Sequence, residues 1–153
     1  MFAIYDGLIF KTHLEARWAA FFDLAGWAWR SNPAPVGDWL PDFRVEFPCG
    51  HSECGDKHVL LVAVVQADEV ARLKYHPSQK HLYGINNELV PTVRGQAIHN
   101  GIDAGAAFGD NPDVSTWQFS HGAGGGAFSV TEWVPNAWQL WAATATRVLS
   151  AMV

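Results

Sequence analysis

Two stretches decide the fold: Trp39-Leu40-Pro41-Asp42-Phe43-Arg44-Val45-Glu46-Phe47 and, after a short insert, Val59-Leu60-Leu61-Val62-Ala63-Val64-Val65. The first alternates apolar and polar side chains at period two, the pattern of a half-buried strand. The second is an unbroken apolar, largely β-branched run, the pattern of a strand covered on both faces. They predict adjacent antiparallel strands at 39–47 and 59–65, with 48–58 as a polar hairpin insert. Asp42 stands at the mouth of the first strand. The second strand carries no charged residue.

Outward from this pair, Thr12-His13-Leu14-Glu15 reads as a capping box. Leu14, Trp18, Phe21, Phe22 and Ala25 follow at helical spacing, so a helix is expected over 12–25, closed by Gly26. A short strand is expected at 27–30. Residues 68–75 read as a short helix stopped by His76-Pro77. Pro91 confines 89–93 to an edge or a loop. The small residues of 104–108 suggest a helical turn. Strands are expected at 114–120 and 127–134. A C-terminal helix opens at Pro135-Asn136, with Trp138, Trp141, Ala142, Ala145, Val148, Leu149 and Met152 on its apolar side. The order of elements predicts one α/β (α+β) domain over 1–153, a mixed central sheet flanked by helices.

Composition agrees with a packed globular domain. Of 153 residues 13% are aromatic, eight of them Trp, and only 16% are charged. The net charge of −5 excludes a broadly basic nucleic-acid binder but not a local basic groove hidden in the average. No basic region precedes an apolar block and cleavage site at the N-terminus, and no apolar run reaches membrane-spanning length. A cytoplasmic setting is therefore expected, in which Cys49 and Cys54 are thiols or metal ligands rather than a disulfide.

Cys49, His51, Cys54 and His58 place four soft ligands within ten residues. Zinc accepts such a set, although the spacing is not a standard knuckle and also suits a solvated hairpin. His76 and His121 are lone histidines, read as structural or surface groups. The glycine run beside His121, Gly122 to Gly126, does not join a strand to a helix and so fails the test for a phosphate-binding loop. Arg72, Lys74 and Lys80 are the one basic cluster, read as a solvated face.

The run Thr12-His13-Leu14-Glu15-Ala16-Arg17-Trp18-Ala19, followed by Trp39-Leu40-Pro41-Asp42-Phe43 and a buried strand, resembles the PD-(D/E)XK nuclease superfamily. It is most similar to small phage and prophage proteins that open Ser-Arg-Leu-Glu-Ala-Arg-Trp-Ala. Asp113-Val114-Ser115 to Trp117 and the His121–Gly126 run share the likeness. The resemblance implies a restriction-endonuclease-like sheet in the cytoplasm of a bacterial host. It also implies a Mg²⁺ site built from a helix Glu, the Asp after Pro, and Glu-x-Lys on the next strand. Glu15 and Asp42 match the first two; Ala63 and Val65 stand where the second acid and the lysine belong. Gln66, Glu69 and Lys74 are replacements only if the chain folds back. The resemblance thus implies a weak or inactive nuclease that still binds nucleic acid. Alternatives are a protein-binding inhibitor of a host defence complex, of anti-restriction or anti-CRISPR type, and an active endonuclease with a migrated ligand.

Overall fold

The structure is a computed structural model and describes residues 2–49, 57–82, 92–93, 96–97, 101–121 and 124–150. It opens with two short strands, β1 (Ala3–Tyr5) and β2 (Leu8–Phe10), and the helix α1 (His13–Ala25). Thr12 caps α1 by accepting the Glu15 amide at 3.1 Å. Gly26 closes it at φ 77°, a left-handed conformation that glycine adopts without steric cost.

The central sheet is formed by β3 (Ala28–Ser31), β4 (Phe43–Pro48), β5 (Lys57–Val64), β8 (Ala104–Phe108), β9 (Ser115–His121) and β10 (Gly124–Phe128). Between β5 and β8 lie two 3-10 turns, Val70–Arg72 and Pro77–Lys80, and the short pair β6 (Thr92–Val93) and β7 (Gln96–Ala97). The strand order is β10-β9-β8-β5-β4-β3. β4 and β5 are antiparallel neighbours in the register Phe43↔Val62 to Pro48↔Lys57. β5 and β8 run parallel, which makes the sheet mixed. The helices α2 (Val130–Trp133) and α3 (Ala137–Thr144) follow, and β11 (Leu149–Ser150) returns to β1 in a separate three-stranded sheet, β11-β1-β2. The chain is therefore an α+β fold. Among the described residues no helix is long and apolar enough to cross a membrane.

Several expectations are corrected. Trp39 to Pro41 stand outside β4; Trp39 instead forms a bridge with Val36, and Pro41 has no N–H for a ladder. Residues 68–75 hold one 3-10 turn in place of an α-helical segment. The 104–108 stretch is a fully buried strand rather than a helical turn. Gly105 serves close approach: a Cβ there would lie 2.4 Å from the Ser78 carbonyl oxygen. The strand expected over 127–134 ends at Phe128, where Ser129 and Glu132 pair side chains at 3.2 Å and α2 begins. The C-terminal helix ends at Thr144, and the chain turns to reach β1. Within α3 the buried side is Ala137, Trp141 and Thr144, so Trp138 is exposed at 49% and Ala142 is also exposed; beyond the helix Leu149 is exposed at 64%. Met152, and most of the 82–93 stretch, lie outside the described residues.

The core lies between α1, α3 and one face of the sheet. Trp18, Phe21 and Phe22 of α1 meet Phe43, Phe108 and Trp141 ring to ring. Arg17 ties the helices together: its guanidinium stacks 4.2 Å over Trp141, and it donates to Thr144 Oγ1 and the Trp141 carbonyl, each at 2.8 Å. The Trp141 carbonyl, in the last turn, thus accepts from Arg17 as well as from the Thr144 hydroxyl at 2.6 Å.

Candidate functional site

The first turn of α1 and the start of β4 meet at one corner of the sheet. Glu15 is buried there at 7% exposure. Asp42 is half-buried, and its backbone N–H donates to the Val62 carbonyl at 2.8 Å. Its Oδ2 accepts the Val64 N–H at 2.8 Å, which fixes the carboxylate at the end of β5. Continuing the β4–β5 register by one residue sets Asp42 against Ala63. The structure thus brings Glu15 and Asp42 together, on either side of the Lys11 ammonium, and places Ala63 opposite Asp42. Ala63 is buried with Trp39 and Leu61, and half-buried Val65 packs against the same cluster.

Sequence reasoning missed a third member. Lys11, between β2 and the helix cap, places Nζ 3.2 Å from Asp42 Oδ1 and 3.5 Å from Glu15 Oε1. Its signal was the i, i+4 spacing to Glu15. The expected capping box is correspondingly half formed: Thr12 caps, while the Glu15 carboxylate turns to Lys11. Gln66 and Glu69, considered as replacements, are exposed on the following segment.

Burial raises the Glu15 pKa, the Asp42 charge adds to that, and Lys11 opposes both. Burial alone would lower the Lys11 pKa, but Asp42 and Glu15 outweigh it and hold the ammonium above its ordinary range. Lys11 is therefore charged at neutral pH. A carboxyl raised in the folded state stabilises the fold below its unfolded pKa. That contribution is lost as pH rises through the folded value. Glu15→Gln removes this dependence. Its unfolding free energy relative to the native protein should therefore rise between pH 4 and pH 7, measured by urea denaturation across that window with the variant referred to the native protein at each pH. A flat or falling difference would contradict the assignment.

The same corner is bordered by Trp39, whose ring stacks on His81 at 5.6 Å and meets His76 edge-on at 6.3 Å. Burial holds His76 below the ordinary histidine range, against the pull of Asp42. Burial and Lys80 do the same to His81. His76 Nδ1 accepts the Ser78 N–H at 3.1 Å, which fixes the ring.

Two members of the expected zinc set are described, His58 and Cys49, and both stand at the base of the β4–β5 hairpin, near the Phe47↔His58 pair. His58 belongs to β5, not to a hairpin tip, and is buried at 1% exposure. Its ring stacks on Phe119 at 4.2 Å, with Nδ1 3.4 Å from Asp103 Oδ2. Cys49 is half-buried just after β4, and His51 and Cys54 lie outside the described residues. Among the described residues no three His, Cys, Asp or Glu side chains form a metal-binding group.

The donor set as it stands does not suit Mg²⁺. Two carboxylates are present, one oxygen of Asp42 is taken by a backbone N–H, and an ammonium already sits between the acids. No known protein-family model, curated protein or solved structure matches the chain.

Proposed function

We propose that this protein is a nuclease-like domain that binds nucleic acid and does not cut it efficiently. The observation that carries the binding half is the segment 70–82. It holds Arg72, Lys74 and Lys80 in a chain of net charge −5; Arg72 pairs with Asp68 just before the segment, at 3.6 Å, and the two lysines have no acid between them. It is also anchored. Leu73 and Ser78 are fully buried, and the Gly105 N–H donates to the His81 carbonyl at 2.8 Å. Between these anchors Tyr75 is 92% exposed, next to exposed Lys74. An exposed aromatic ring on a fixed basic loop suits an unpaired base stacked on the ring and a phosphate at the lysines. Trp39 links this loop to the Lys11–Glu15–Asp42 corner through His76 and His81.

The test is a titration of labelled single-stranded and duplex oligonucleotides at low salt. Tyr75→Ala should weaken single-strand binding on the order of tenfold, as expected for one lost base stack, and affect duplex binding less. Lys74→Ala with Lys80→Ala should flatten the salt dependence. Absence of binding by the native protein at low salt, or indifference of single-strand binding to Tyr75→Ala, would reject the reading.

A further inference from the structure

We propose that Lys11 is a tethered cation. Its ammonium occupies the centre that the Glu15 and Asp42 carboxylates would otherwise share with a divalent metal, and this corner meets phosphate without one. The phosphate half of this inference rests on the nucleic-acid reading above; the cation half does not.

The geometry is specific. One nitrogen lies within 3.5 Å of carboxylate oxygens from two different elements, the first turn of α1 and the start of β4. The lysine backbone is fixed on both sides. Phe10, the last residue of β2, is buried against Phe43 and Trp29, and Thr12 is the helix cap. The ammonium is thus delivered from a rigid base. It has three N–H donors. Two face the carboxylates, and the side chain is 68% exposed, so the third is open to an incoming anion. Ammonium and dication are alternative solutions to one electrostatic problem, two carboxylates converging in a partly desolvated corner. The strand acid and lysine of the metal-based solution are absent at Ala63 and Val65, and a lysine from before the helix supplies the positive charge.

The primary measurement uses protein alone, with Mn²⁺ titrated and followed by electron paramagnetic resonance. Native protein should show no stoichiometric binding into the millimolar range. Lys11→Ala leaves the acids uncompensated and should bind one Mn²⁺ at least tenfold more tightly than native protein. Adding Asp42→Asn to that variant should abolish the gain. Should Lys11→Ala fail to fold, Lys11→Met keeps the stem without the charge, and Mn²⁺ should raise its melting temperature but not that of native protein. The second arm uses a single-stranded oligonucleotide: native binding should be the same in EDTA as in Mg²⁺, and Lys11→Ala binding should become Mg²⁺-dependent. Stoichiometric, Asp42-dependent Mn²⁺ binding by native protein, or none by either lysine variant, would overturn the proposal. Because the first arm contains no nucleic acid, its outcome stands even if the nucleic-acid reading falls.

Discussion

Replacing Trp18 by alanine is expected to lower the unfolding free energy by about 3–5 kcal/mol, the range for deleting a large buried aromatic side chain. Trp18 is fully buried at the junction of both main helices and the sheet. Its ring lies 4.6 Å from Trp141 of α3, 4.8 Å from Phe108 of β8 and 5.3 Å from Phe21 of its own helix. Its indole N–H donates to the Gly109 carbonyl at 2.9 Å. The neighbours cannot easily close the hole. Gly109 is already in tight contact, since a Cβ there would lie 2.5 Å from Val114 Cγ1 and 2.7 Å from the Ala67 carbonyl oxygen. The cavity term therefore stays near its full size, and the stranded Gly109 carbonyl adds to it. Against a total stability of about 5–15 kcal/mol, the loss removes a large share of the margin. Urea denaturation followed by far-ultraviolet circular dichroism measures it. Trp18→Phe should fall between the two, because it keeps a ring and loses the hydrogen bond. A loss below about 1 kcal/mol for Trp18→Ala would mean that this ring is not the keystone of the helix–sheet contact.

The parts of this fold legible in the sequence are those in which local pattern and tertiary role agree. The Leu14-to-Ala25 spacing gives α1, and the β4–β5 pair follows from alternation beside a continuous apolar run. Where a distant segment sets the role, local reading fails. Ala104 to Phe108 looked helical because its residues are small. Gly105 at least is small because the Ser78 carbonyl packs against it. The last helix looked long because its apolar spacing continues past Thr144, but Arg17 on α1 takes the Trp141 carbonyl and the chain leaves for β1. At the candidate site, Glu15 and Asp42 carried their own signals, a helix cap and a strand mouth. Lys11 belongs to no periodic element, and its role exists only once Asp42 is folded beside it. His58 shows the converse. Local reading placed it in a polar hairpin insert, whereas β5 begins at Lys57 and stacks the ring on Phe119.

The native protein is expected to leave plasmid, single-stranded DNA and RNA uncut in Mg²⁺ or Mn²⁺, and Asp42→Ala is expected to leave that result unchanged. The reasoning rests on the charges that the corner provides. On the nuclease-like reading proposed above, a further carboxylate would stand opposite Asp42, where the strand register places the methyl group of Ala63. Val65, two residues on, offers no cation to orient water or offset charge developing on a phosphate. Loss of one electrostatic stabiliser typically costs about 10²–10³ in rate. Two losses from one site cost more, though not additively. Lys11 leaves one N–H for a phosphate, but with its other two on Asp42 and Glu15 it holds no attacking water and adds no carboxylate. That commitment orders the reconstruction variants. Ala63→Glu with Val65→Lys introduces the acid and the lysine that the nuclease-like reading calls for but leaves Lys11 in place. Adding Lys11→Ala clears the centre, so the triple variant should nick plasmid faster than the double variant. Ala63 is buried beside Trp39 and Leu61, where an unpaired carboxylate is costly, so the melting temperature of each variant is measured alongside. A double variant as active as the triple would show that Lys11 does not obstruct the site. Robust cleavage by native protein, abolished by Asp42→Ala, would show that a ligand from elsewhere completes it.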